Sequence, residues 1–239
     1  MCGRIVRKTG SSEIAHSFAA KPSGIELPMN FNISPTSDVY VIRSIGDSRT
    51  LDVMSWGLVP SWAKDTSRAA SLINARSESV HEKPSFRNLI ARNRCVLPID
   101  AYYEWKPIKV RGKQIKQPFV FMPMSESPFN HSGQFAIAGL WSSWSGERGE
   151  TVLTCTAMTT EANTTISQVH HRMPVLLTRE GVEGWLSNST SPDFSMTQNI
   201  DNSATRHYAV STEVNNARNY GEHLLDPVSL VDSDDATLF

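Results

Sequence analysis

Apolar residues in this chain come in short runs bounded by turn formers, the pattern of strands and not of long amphipathic helices. Val39 to Arg43 and Leu51 to Trp56 read as two strands joined through Gly46-Asp47. Cys95 to Ile99 leads into Ala101 to Trp105, a pair of strands or one bent strand. Phe119 to Met122, Phe135 to Leu140 and Thr151 to Ala157 follow at the spacing of an antiparallel β domain, and Tyr208 to Ser211 is a last strand. Helices are predicted from Ser11 or Ser12 through Ala20, with Ile14 and Phe18 one turn apart, and from Pro84 to about Asn93. Two more are predicted over Thr160 to Ser167 and Glu180 to Leu186, the latter with Trp185 on its apolar side. Residues 21–37 and 187–203 read as loop, and the basic stretch Lys106 to Lys116 as a solvated hairpin loop. The prediction is a single α+β domain over residues 1–225, predominantly antiparallel β with peripheral helices, then an acidic disordered tail at 226–239.

Composition narrows the function classes. The chain has 239 residues, enough for a substantial core, and a net charge of −1, so nucleic acid would have to be met by locally clustered Arg and Lys. No apolar run is long enough to span a bilayer and no signal-peptide pattern opens the chain, so no membrane association is expected. Cys2, Cys95 and Cys155 are too widely spaced for a C-x-x-C pair or a zinc cluster. A reducing intracellular compartment is expected, with no metal, no cofactor and no structural disulfide, and with Cys155 a buried inert thiol.

Four polar islands sit at the edges of apolar strands: Cys2 with Arg4, Asn74 with Arg76, Glu104, and His170 with Arg172. Each alone has an ordinary structural explanation. His170 and His171, read as adjacent strand residues, would point to opposite faces and could not chelate one metal. Cys2 is chemically distinctive, because removal of Met1 would leave an α-amine beside a thiol. Such a 1,2-aminothiol condenses with aldehydes to a thiazolidine, and both groups titrate near pH ~8 to ~8.5.

Six motifs occur in a telling order: Met1-Cys2-Gly3-Arg4, Asn32-x-x-Pro35, Trp56-Gly57-Leu58-x-Pro60, Ile73-Asn74-Ala75-Arg76-x-Glu78, Tyr103-Glu104-Trp105 and His170-x-Arg172-x-Pro174. With Val214-Asn215-Asn216 near the end, the chain resembles the SOS response-associated peptidase family, whose members process abasic sites in DNA. The resemblance implies a DNA-repair enzyme, lyase-like, that crosslinks itself to abasic sites in single-stranded DNA, with any peptidase activity limited to Met1. It makes Cys2 the nucleophile, Asn74 the residue that holds the α-amine or the sugar, Glu104 the proton shuttle and His170 the group that opens the sugar ring. Arg4, Arg76 and Arg172 would grip phosphates, and Trp62 would distort the strand. Family members often carry a second bulky aromatic after that tryptophan, where this chain has Ala63. A monomer without an obligate protein partner is expected, cytoplasmic and nucleoid-associated in a bacterium or nuclear in a eukaryote. The alternatives are a cysteine peptidase using Cys2, Glu104 and His170, and a non-enzymatic module that stacks single-stranded bases on aromatics.

Overall fold

Side-chain alternation along each strand sorts the buried apolar residues into three clusters, one between the layers and one on the outer side of each. The computed structural model describes residues 2–110, 112–147, 149–197 and 205–230, apart from the side chains at 196 and 197. In chain order the strands are β1 (Ile5–Arg7), β2 (Ala20–Lys21), β3 (Asn30–Ile33), β4 (Asp38–Ile45), β5 (Ser48–Trp56), β6 (Asn74–Arg76) and β7 (Arg94–Ile99). They continue as β8 (Ala101–Val110), β9 (Lys113–Pro123), β10 (Phe135–Ser145), β11 (Thr151–Glu161), β12 (Arg172–Pro174) and β13 (Thr205–Ala209). Among the described residues two α-helices, α1 (Ser11–Ser17) and α2 (Arg179–Trp185), complete an α+β fold that is mostly antiparallel sheet.

The smaller sheet has the order β13-β9-β8-β1-β3 and the larger the order β12-β11-β10-β7-β4-β5-β2. β5 also meets β11 in parallel at Ser55–Thr154 and Trp56–Cys155, which closes β5-β4-β7-β10-β11 into a small barrel. Val39, Met54, Cys95, Ile137 and Cys155 of the barrel strands share one cluster with Tyr102, Phe119 and Phe121 of the smaller sheet. The alternate residues Tyr40, Ile42, Val96, Ala138 and Met158 join Ile14 of α1 and Val182 of α2 in the outer cluster. At Gly139 the barrel wall has no room for a side chain: a Cβ there would lie 2.4 Å from Leu97 Cδ1 and 2.8 Å from Thr156 O.

Several elements depart from the sequence-based expectation. Residues 84–93 form successive turns instead of a helix. The carbonyls of Ile90 and Ala91 there accept from the Arg94 guanidinium, which also ties Trp185, Ser187 and Ser189. A neighbouring side chain, itself anchored to residues 185–189, thus takes acceptors that a helix would have offered to its own continuation. The stretch 106–116 is mostly strand, because β8 and β9 stay paired out to Val110–Lys113. There Ile108 faces Ile115, so a period-two pattern was present beneath the lysines. Over Thr160 to Ser167 the expected helix is replaced by the end of β11 and the start of a 3-10 turn at Ile166–Gln168. β12 captures that end of β11, pairing Thr160 with Met173 and Glu161 with Arg172.

Cys95–Ile99 and Ala101–Trp105 belong to different sheets, turned at buried Asp100, whose carboxylate accepts from the Lys8 and Thr9 backbone N–H groups. The tail expected to start at 226 remains bonded at first, since Val228 N–H donates to Ala209 O at 2.9 Å. Residues 231–239 lie outside the described residues. Among the described residues no helix is long and apolar enough to cross a membrane.

Candidate active site

β11 gathers the site. One edge of its far half pairs in parallel with β6, Ala157 with Asn74 and Thr159 with Arg76. Its opposite edge pairs antiparallel with β12, Thr159 with Pro174 and Glu161 with Arg172. Two motifs almost a hundred residues apart in sequence therefore flank a single strand. On β6, Ala75 turns into the outer cluster, so Asn74 and Arg76 share the other face.

The start of the chain arrives from the smaller sheet. β1 pairs antiparallel with β8, Ile5 with Tyr102, and Tyr103 N–H donates to Arg4 O. Continued, that register sets Gly3 opposite Glu104, and the chain before β1 leaves the strand so that Cys2 comes within reach of the Glu104 charge. Asn74 closes the link between the layers: its Nδ2 donates to Cys2 O at 2.9 Å. Cys2 itself is fully buried in the shared cluster. Burial pushes its thiol well above the ordinary range, and the Glu104 charge adds to this. The Glu104 side chain is 2% exposed, and burial raises its carboxyl above the usual value.

His170 Nδ1 lies 3.9 Å from Glu104 Oε1, too far for a direct hydrogen bond. That same Nδ1 lies 3.0 Å from Arg172 N and 3.1 Å from Arg172 O, so the Arg172 backbone holds the ring in either tautomer. Burial, helped by the Arg172 charge, holds the His170 pKa below its ordinary value, so the neutral form dominates at pH 7. Contrary to the strand-based expectation, His170 and His171 precede β12, and their rings stack at 4.4 Å. Among the described residues no group of three or more His, Cys, Asp or Glu could hold a metal ion.

The arginines fall into two kinds. Arg172 is 7% exposed and grips Glu78 with both Nη atoms, at 2.7 and 2.9 Å, while Nη2 also donates to Thr159 O. Arg4 Nη1 donates to Asn32 Oδ1 at 2.6 Å and to Val214 O at 2.9 Å. Only Arg76 presents an exposed residue. Trp62 is 65% exposed on the loop between β5 and β6, beside an apolar hollow of about 370 Å³ lined by Leu58, Val59, Pro60 and Leu72. Gly57 starts that loop at φ 145°, and a Cβ there would lie 2.7 Å from Ala69 O. Trp144 Nε1 holds the loop through Ala63 O at 2.7 Å.

Asn32 stands in one of the six motifs, and its role is legible only in the fold. It is 2% exposed and donates through Nδ2 to Val214, Asn216 and Asn219 carbonyls, pinning residues 212–219 against β3. Glu78 likewise had no role until its pairing with Arg172 was visible. Two further buried polar atoms stand out: among the described residues Asn74 Oδ1 and the Tyr102 hydroxyl have no hydrogen-bond partner. Tyr102 lies on the Glu104 face of β8. Buried polar groups are seldom left so, and these two suit a ligand that brings both a donor and an acceptor.

A family model described as SOS response associated peptidase (SRAP) matches residues 1–217. The chain belongs to this family. The abasic site processing protein YoaM of Bacillus subtilis is 35% identical over 232 residues, 95% of this chain and 98% of that protein. The abasic site processing protein HMCES of Rattus norvegicus is 30% identical over 236 residues, 84% of this chain and 66% of that protein. A crystal structure of a protein from Bacteroides thetaiotaomicron superposes with a TM-score of 0.82 at 24% identity, covering 95% of this chain and all of that one, and shares the SRAP fold. The family match and the names of these relatives support a part in processing abasic sites in damaged DNA.

Proposed function

We propose that this SRAP protein captures abasic sites in single-stranded DNA as a covalent thiazolidine on Cys2, after Met1 has been removed. The observation that carries the reading is the convergence of Cys2, Asn74, Glu104 and His170 from four separate segments, with Asn74 joined directly to the Cys2 carbonyl. The freed α-amine adds to the C1′ aldehyde of the ring-opened deoxyribose. The resulting carbinolamine loses water as an acid protonates its hydroxyl, and a C=N bond forms. The Cys2 sulfur then adds to that carbon, and the thiol proton ends on the nitrogen. Aldehyde and aminothiol thus yield a thiazolidine and one water.

The residues suit these steps. Glu104, its pKa raised by burial, can hold a proton for the leaving hydroxyl and recover one later. His170, neutral and held by the Arg172 backbone, is suited to proton exchange with the sugar ring oxygen as the hemiacetal opens. Asn74 Oδ1 can accept from the α-amine or a sugar hydroxyl. A thiolate–imidazolium pair, as a cysteine peptidase would use, is disfavoured by the upward shift of Cys2 and the downward shift of His170. Arg76 and Trp62 are the exposed groups for DNA, the cation for phosphate and the indole for stacking a base. Arg4 and Arg172 act as positioning residues, holding Asn32 and Glu78.

The test mixes purified protein with an oligonucleotide bearing one abasic site and looks for a band that survives denaturation. Wild type should give the band with a protein mass starting at Cys2, and Cys2→Ala should give none. Quantitative retention of Met1 in a protein that still crosslinks would remove the aminothiol mechanism.

A further inference from the structure

Beyond Trp105 and Gln117 the smaller sheet narrows to two strands. β1 pairs with β8 only at Ala101 and Tyr102, and β13 pairs with β9 only from Phe119 to Pro123. Among the described residues, 106–110 and 113–117 pair only with each other, so they form a two-stranded ribbon running on from the strand that carries Glu104. At ~3.3 Å per residue, the stretch from Glu104 to Val110 is about 20 Å long. That is roughly the span of six phosphates on one strand of B-form DNA.

The ribbon is basic in a chain that is not. No Asp or Glu occurs between Glu104 and Glu126, while Lys106, Lys109, Lys113 and Lys116 all do, against a net charge of −1 for the whole chain. Alternation divides the lysines. Lys106 shares the face of Tyr102 and Glu104, and the pairing of Val110 with Lys113 puts Lys113 on that face too. Lys109 and Lys116 take the opposite face. The active-site face of the ribbon therefore has two cations with Val110 and Ile115 between them, while Ile108 on the same face is buried. Cations in a row along a strand, with no carboxylate among them, suit the evenly spaced charges of a nucleic-acid backbone.

Resting on the abasic-site reading above, we propose that this ribbon is a second DNA-binding element. Through Lys106 and Lys113 it follows the phosphates of the strand as that strand leaves the lesion held at Cys2. Lysines on exposed strands also discourage edge-to-edge association, a role indifferent to the face they occupy. Face dependence separates the two.

Equilibrium binding is measured against salt on a twenty-nucleotide single strand carrying a tetrahydrofuran abasic analogue, which has no aldehyde and cannot crosslink. Lys106→Gln/Lys113→Gln should lower the salt slope by about 1.4, at ~0.7 per phosphate contact, which at 0.1 M salt is a loss of about 25-fold in affinity. The loss should grow as the oligonucleotide is lengthened from three nucleotides to twenty. Lys106→Arg/Lys113→Arg should keep the wild-type slope, and Lys109→Gln/Lys116→Gln should lose less than half as much. An unchanged slope in the first variant, or an equal drop in both Gln variants, overturns the proposal. The wild-type adduct with a natural abasic strand is scored alongside: its absence refutes the abasic-site reading itself, whereas an adduct with unchanged slopes refutes the ribbon alone.

Discussion

Arg172→Met should loosen the fold around the site before it weakens any contact with DNA. The guanidinium is embedded, its side chain 9% exposed, and it meets Glu78 bidentately at 2.7 and 2.9 Å. A fully buried pair broken on one side costs about 3–5 kcal/mol. The Glu78 side chain is 44% exposed and can be rehydrated, so about 1–2 kcal/mol is the better figure for this pair. Thr159 O also loses one donor but keeps Ser77 N–H at 2.9 Å, which adds about 0.5–1 kcal/mol. The total, about 1.5–3 kcal/mol, corresponds to a fall in Tm of roughly 3–12 °C for a chain of this size. Calorimetric melts of Arg172→Met, Glu78→Gln and the double variant should give a coupling of about 1–2 kcal/mol. The pH dependence has a definite sign. The hydrogen bonds from Arg172 lower the Glu78 pKa, so the pair's contribution is present above the ordinary carboxylate pKa and is lost as pH falls through the lowered one. The cost of Arg172→Met should therefore shrink in acid. A variant that melts within a degree of wild type, yet loses about 0.7 from the salt slope for single-stranded DNA, would refute this reasoning and make Arg172 a phosphate clamp.

Glu104→Gln should stabilise the folded protein at pH 7, because burial raises the carboxyl pKa, and stability from such a group is present below the unfolded value and lost as pH rises through the folded one. Denaturant melts at pH 7 and below pH 4 should show the gain at the first and not the second. His170→Ala should slow crosslinking to a natural abasic site by ~10²–10⁴-fold and be largely rescued by an acyclic aldehyde at the same place in the strand. Equal defects on both substrates would remove its ring-opening role. Trp62→Ala should weaken single-strand binding by about 1–3 kcal/mol without lowering Tm, as a lost stacking platform would; fluorescence titration and a melt read the two separately. Gly139→Ala should lower stability by about 1–3 kcal/mol, since its new methyl has no place between Leu97 and the Thr156 carbonyl; an unchanged Tm would mean that the barrel wall yields there.

Local pattern carried most of the strands, because a half-buried strand writes its burial into the chain as alternation. Val39 to Arg43, Leu51 to Trp56 and Phe135 to Leu140 all lie within observed strands for that reason. It failed where side-chain and cross-strand partners outbid helix propensity: at 84–93, where the Arg94 guanidinium takes two carbonyls of the preceding turn, and at the end of β11, which β12 pairs. It was also hidden at 106–116, where lysines masked the period that Ile108 and Ile115 keep.

The residue types of the candidate site were legible in sequence as well, since Cys2, Asn74, Glu104 and His170 stand in short motifs beside apolar strands. What each arginine does was not. Arg4, Arg76 and Arg172 look alike as letters, and only the fold distinguishes an exposed cation from two that are occupied inside. Pairing of β11 with β6 on one edge and β12 on the other places Arg172 over Glu78 and leaves Arg76 facing out. The side of the Lys106 ribbon that faces the site is likewise decided by register, which is set between strands and is written in neither strand alone.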